Sequence, residues 1–202
     1  MRHFTVRPPL TLSGRKFRGL RGLSGKPFHP PLTDVPITAY LFAAAFDILS
    51  LALRNSYAGA ARELYVAGTW LVLGGAAVSL LAALTGWADW HRSSEPGTQA
   101  RRTVNAHAII MLSATALTLI ELALRALALH DRPHTPLIVA LFSVAVAVLI
   151  SIGATYGGSL VYDYGFNVET AGDHPVWHKS ETDVLPGQQH ATPSVDHEAT
   201  HG

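Results

Sequence analysis

The residues able to do chemistry in this chain are few and unevenly placed. His29 and Asp34 lie in His29-Pro30-Pro31-Leu32-Thr33-Asp34-Val35-Pro36-Ile37, and Asp89 and His91 in Gly86-Trp87-Ala88-Asp89-Trp90-His91. Asn105 and His107 form Asn105-Ala106-His107, and Tyr162 and Asp163 are adjacent further on. Imidazole nitrogens ligate haem iron and several divalent metals, and a nearby carboxylate either ligates or orients them. His29 and His107, with Asp34 and Asp89, are therefore the candidate cofactor-binding residues, with haem b the candidate cofactor and another metal an alternative. No His-Glu-x-x-His spacing is present and no nucleophile sits in a strand-to-helix elbow, so neither a zinc hydrolase nor a Ser-His-Asp enzyme is indicated. Each of these residues also has a purely structural reading. Asp34 suits an N-cap with Pro36 just inside the helix, Asp89 could pair with Arg101 or Arg102, and His29 before a proline could cap a turn.

A second set of polar residues interrupts otherwise apolar sequence: Asp47, Thr118, Glu121 and Arg125. On a helix His107 and Arg125 are about five full turns apart and share a face with Thr118 and Glu121. Glu121 and Arg125 are also an i,i+4 pair in the favourable order. The set reads first as a neutralised ion pair that fixes the register of two helices, with Arg125 snorkelling partly outward. The alternative is a proton or ion path along one helix face, since ionisable groups within membranes often serve transport.

The elements that must position these residues are plain. Residues 35–53, 64–87, 104–129 and 136–162 are four apolar windows, and crossing about 30 Å of hydrocarbon takes roughly 20 helical residues. They lack the polar face a soluble bundle shows at helical period. Trp87, Trp90, Tyr57, Tyr65, Tyr156, Tyr162 and Tyr164 gather at the window ends, as interfacial aromatics do. The charged share of 14% is well below the soluble average of about 25%, and charges are nearly confined to the regions outside the windows. The fold expected is an all-α, integral membrane, antiparallel four-helix bundle spanning 29–168. It is preceded by a flexible basic arm (1–28) and followed by a polar, disordered tail (169–202). Small residues repeat every four positions, as Ala39/Ala43, Gly75/Ser79/Ala83, Ala106/Ile110/Ala114/Thr118 and Ser143/Ala147/Ser151/Thr155, and such stripes let helices approach closely.

Composition excludes several classes. With no cysteine, the chain holds no disulfide, iron–sulfur cluster, covalent haem or thiol nucleophile. A formal net charge of +1 gives no pull toward nucleic acid. Lys and Arg crowd the opening arm and the second connection (Arg92, Arg101, Arg102) more than the other two, which places both termini in the cytoplasm and the chain in the inner cell membrane. In that topology His29, Asp34, Asp89, His91, Asn105, His107, Tyr162 and Asp163 converge on the cytoplasmic end, and Asp47, Glu121 and Arg125 lie in the outer half. The tail histidines 174, 178, 190, 197 and 201 are irregularly spaced and read as solvated sequence rather than a metal site.

The His29-to-Ile37 stretch, Gly86-Trp87-Ala88-Asp89-Trp90, Asn105-Ala106-His107-Ala108 and Gly157-Gly158-Ser159-Leu160-Val161-Tyr162 resemble, in order, the signatures of the bacterial membrane family known as domain of unknown function 2231. The resemblance covers roughly residues 26–168. It implies a multi-pass four-helix fold and an electron-transfer setting, because some relatives carry a Rieske-type or cytochrome c-type domain on the same chain. Without cysteine this chain would act in such chemistry only through a partner, a quinone or non-covalent haem. The leading expectation is a non-enzymatic accessory or anchoring subunit of a membrane assembly of respiratory type. Its partners would be the lipid bilayer and another membrane, iron–sulfur or cytochrome protein. A haem-binding electron carrier using His29 and His107 comes second, and a conduit along the third helix last.

Overall fold

The computed structural model describes Leu20 and residues 27–168; the rest of the basic arm, the polar tail and its histidines lie outside the described residues. Four helices follow one another: α1 (His29–Leu53), α2 (Ala58–Ser93), α3 (Gln99–Leu127) and α4 (Leu137–Tyr162). All four are long and apolar enough to span a membrane. At 36 residues α2 runs about 54 Å, so it projects well beyond about 30 Å of hydrocarbon.

The helix starts differ from the apolar windows. α1 begins at His29 rather than near Val35, with prolines in its first turn, where a missing N–H costs nothing. Asp34 therefore lies inside the helix on an exposed position and caps nothing; the N-cap residue is Phe28. Gly86 to His91 likewise continue α2 rather than follow it. α3 starts at Gln99, capped by Thr98, whose Oγ1 accepts from the Arg101 N–H at 3.1 Å. Polar residues next to a membrane end read as loop by hydropathy, but the helical ladder satisfies their backbone and carries on into the interface.

The helices pack as a square. α1 lies against α2 and α4, α3 lies against α4 and α2, and the diagonal pairs do not touch along their backbones. Close approach of α1 and α2 depends on Gly75: a Cβ there would sit 2.6 Å from Cε1 of Tyr40 and 3.1 Å from the Ala39 Cβ. Ala39, Tyr40, Val146 and Ile150 form the apolar centre, joined by Ile37, Leu71, Met111 and Leu117. The expected α1 and α2 stripes hold at Ala39, Ala43, Gly75 and Ser79, all buried. On α4 the buried line is Ser143, Val146, Ile150 and Gly153, whereas Ser151 and Thr155 are exposed and donate to their own helix at Ala147 O and Ser151 O. A strict four-residue repeat overshoots a 3.6-residue turn, so it drifts off the buried face within two steps. Large apolar side chains such as Phe42, Trp70, Leu84, Ile109, Leu112 and Leu141 point outward, where lipid rather than water is their proper solvent.

Two glycines of α2 separate packing from propensity. Gly75→Ala should destabilise the protein by about 1–3 kcal/mol through overpacking against Tyr40. Gly74→Ala, with nothing within 4 Å of its Cβ, should be neutral or slightly stabilising. Denaturation midpoints of the two variants in mild detergent compare them directly.

Candidate functional site

Two polar regions stand out, one toward each end of the bundle. Near the end that carries the α1–α2 turn, Asp47 of α1 and Glu121 and Arg125 of α3 are essentially fully buried, with Ser143 of α4 and Thr135 just before α4. The guanidinium of Arg125 fills the space between them. Its Nε donates to Glu121 Oε1 at 2.9 Å, and Nη2 donates to the same oxygen at 2.6 Å and to Asp47 Oδ2. Nη1 donates to Thr69 Oγ1 of α2 at 3.0 Å, and the guanidinium carbon lies 5.2 Å over the Tyr65 ring. The hydroxyl of Thr135 donates to Asp47 Oδ1 at 2.9 Å, and Ser143 Oγ contacts both carboxylates. α1, α2 and α3 thus meet on a single cation, and α4 and the connection before it close on its carboxylates.

Neighbouring hydroxyls pin that end further. Ser50 donates to Ala61 O at 2.6 Å and accepts from the Thr135 N–H at 2.9 Å, and Tyr65 OH donates to Leu129 O at 2.9 Å. The sequence singles out Asp47, Glu121 and Arg125, and the structure brings the three together in one buried ion network. Sequence reasoning missed Thr135, Ser143, Ser50 and Thr69, because a serine or threonine in an apolar helix has no signature until a buried ion faces it. One detail differs: Arg125 is 1% exposed and turns inward rather than snorkelling. Carboxylates on two helices hold it, and a planar fork meets several acceptors at once.

At the other end His29 and His107 are half-buried, each pressed on a glycine of the neighbouring helix. His29 Nδ1 lies 2.9 Å from Ala82 O on α2, and a Cβ on Gly86 would meet its Cε1 at 2.8 Å. His107 Nδ1 lies 2.8 Å from Gly153 O on α4, and a Cβ on Gly157 would meet its Cε1 at 3.2 Å. A carbonyl only accepts, so each Nδ1 bears the hydrogen and each neutral ring leaves the Nε2 lone pair free. Among the described residues neither Nε2 has a hydrogen-bond partner.

The two hairpins repeat this arrangement. In each, the first helix carries the histidine, the returning helix supplies a carbonyl and, one turn later, a glycine. About five turns beyond the histidine stands a charged residue, Asp47 in one hairpin and Arg125 in the other. The two charges meet across the diagonal, and the bundle has an approximate two-fold axis along its length.

The remaining polar residues of the histidine end do not gather on these rings. Asp89 is buried and its Oδ1 accepts from the Leu20 N–H at 3.3 Å, so it holds the incoming chain rather than Arg101 or Arg102. Arg101 lies 3.8 Å over the Trp90 ring and donates to Trp90 O at 3.1 Å, while Trp90 Nε1 donates to Asn105 Oδ1 at 2.7 Å. His91 stacks on Trp87 with centroids 5.9 Å apart, and Tyr162 and Asp163 are exposed at the end of α4. Among the described residues no three His, Cys, Asp or Glu side chains come together. Along α3 the Thr118 hydroxyl donates to Ala114 O, and Tyr40 OH of α1 meets Ser79 Oγ of α2 at 2.8 Å.

The Arg125 fork makes a direct prediction. Arg125→Lys keeps the charge but replaces a planar fork by a point donor, and should lower stability by about 1–3 kcal/mol. Arg62→Lys, on an exposed position of α2, should change it by about 0.5 kcal/mol or less. Both are read from unfolding in mixed micelles.

No curated protein and no solved structure matches the chain. A family model does, over residues 25–170, which takes in all four helices and both polar regions. The chain belongs to the family described as predicted membrane protein, domain of unknown function 2231.

Proposed function

We propose that this protein is a non-enzymatic, membrane-embedded redox subunit whose His29 and His107 hold a b-type haem, serving a larger respiratory-type assembly. The observation that supports this most is the matched state of the two imidazoles. Each has Nδ1 committed to a backbone carbonyl and Nε2 left free, the arrangement in which a second hydrogen bond orients a ligating histidine. The donor set favours haem over a bare divalent ion, since an ion needs four or more ligands from its surroundings and among the described residues no group of three or more ligating side chains accompanies these two nitrogens. A haem brings most of its iron's ligands itself, and His29 and His107 would be the residues that hold it.

The residues' own parts follow. Ala82 O and Gly153 O fix the ring tautomers, Gly86 and Gly157 make the room each ring occupies, and Thr85 Oγ1, 3.2 Å from His29 Nδ1, adds a second acceptor. A haem held there would supply reversible one-electron chemistry. Asp34 and Asp89 do not ligate in this reading; Asp89 fastens the incoming chain beside the site. The Lys and Arg bias of the basic arm and of Arg92, Arg101 and Arg102 supports a reading in which this end and both termini face the cytoplasm across the inner membrane. With no cysteine the chain holds no iron–sulfur cluster or covalent haem, so a partner that carries one, an iron–sulfur or cytochrome protein, would be the electron's other carrier.

The test is the absorption spectrum of the full-length protein, expressed with haem precursor and purified in mild detergent. A Soret band should appear, and it should be lost in His29→Ala and in His107→Ala while both variants remain folded. Gly86→Ala, which displaces the His29 ring, should shift or weaken it. A colourless wild-type protein that takes up no added haemin would overturn the haem reading and leave an anchoring role without a cofactor.

A further inference from the structure

The buried centre at the opposite end has one hydrogen too few. Ser143 Oγ lies 2.5 Å from Asp47 Oδ2 and 2.8 Å from Glu121 Oε1. A hydroxyl carries a single hydrogen, so it can donate across only one of these two oxygen–oxygen contacts. The second brings two lone-pair-bearing oxygens within hydrogen-bond distance, which is repulsive unless a further hydrogen lies between them. Arg125 Nη2, 3.2 Å from Ser143 Oγ, does not relieve that contact, because its own two hydrogens already face Asp47 and Glu121. The missing hydrogen belongs to a carboxyl group.

Charge makes the same demand independently. Asp47, Glu121 and Arg125 are 0%, 1% and 1% exposed, and two carboxylates against one guanidinium would leave a net negative charge inside a membrane span. Among the described residues no second cation is paired with these carboxylates. From α1 come Asp47 and the neutral Tyr40; from α2, Tyr65, whose hydroxyl donates to Leu129 O, and Thr69. From α3 come Glu121 and Arg125, and from α4 only Ser143. The connection before α4 contributes Thr135 and the solvent-exposed Arg132, whose charge water screens.

We propose that Asp47, Ser143 and Glu121 form a proton-binding site that holds one proton between two carboxyl groups at neutral pH, leaving the centre with Arg125 electrically neutral. The ligand is the proton itself, taken up from water, with no bond to carbon made or broken. The hydrogen on Ser143 and the added one form a chain, carboxyl to hydroxyl to carboxylate, so the proton belongs to the pair rather than to either residue. This site stands apart from the histidine end and does not depend on what that end binds.

Infrared spectroscopy of the full-length protein in lipid vesicles tests it, because a protonated carboxyl has a carbonyl stretch well separated from that of a carboxylate. At neutral pH the wild type should show that band, moving in heavy water and unchanged by Asp89→Asn, which removes the other buried acid. Glu121→Gln and Asp47→Asn should each abolish it, since either leaves one carboxylate facing Arg125 and no need for a proton. Ser143→Ala, a small change expected to fold, should keep the band and shift its frequency by removing the bridging hydroxyl. Absence of the band from the wild type, or its survival in either neutralised variant, would overturn the proposal. A band at an unchanged frequency in Ser143→Ala would overturn the bridge.

Discussion

A cation held inside an apolar bundle must be answered from every side, and the Arg125 guanidinium sets that demand here. α1 and α3 stand on the diagonal of the square, too far apart for backbone contact, so only a long side chain can link them. Arg125 reaches across to Asp47 from a helix that also supplies Glu121, and Thr69 of α2 accepts from its Nη1. Ser143 on α4 and Thr135 before it close the gaps. Sliding or rotating α1 or α3 would part Asp47 from Arg125 inside hydrocarbon, and moving α2 or α4 would withdraw the hydroxyl of Thr69 or Ser143. Close packing through Gly68 and Gly75 brings the helices together, and the ion network decides the register in which they stay.

The approximate two-fold relation between the hairpins gives this arrangement its logic. Equivalent positions in the two hairpins carry a histidine at one end and, about five turns on, a charge of opposite sign. Like charges at those positions would repel across the axis, whereas Asp47 and Arg125 attract. At the other end the two imidazoles are identical rather than complementary, which is what a shared ligand between the hairpins requires. One end of the bundle is thus closed by its own chemistry, and the other presents a pair of imidazole nitrogens with no partner among the described residues.

Much of this was legible in the sequence, for identifiable reasons. Four apolar windows without a polar face account for the helix number. Asp47, Glu121 and Arg125 stood out because charge is so expensive there that a partner had to exist. Helix ends were less legible: His29 to Asp34 and Asp89 to His91 are polar yet helical, because hydropathy reports the solvent around a segment and not its backbone. The expected gathering of Asp34, His91, Tyr162 and Asp163 around the histidines rested on their common end of the bundle. Sharing an end does not mean facing the same side, and the helical phase turns those residues outward. The carbonyls of Ala82 and Gly153 carry no sequence signal at all, since only the neighbouring glycine lets a ring reach them.

The claim on which the rest turns is that Asp47 and Arg125 act as a unit to fix the bundle. The most direct measurement is a double-mutant cycle of Asp47→Leu, Arg125→Met and the pair together, followed by unfolding equilibria in mixed micelles. If the two side chains act together, the paired substitution costs less than the sum of the single ones by about 1–3 kcal/mol. Costs that simply add would contradict the account, and would mean that apolar packing alone sets the register.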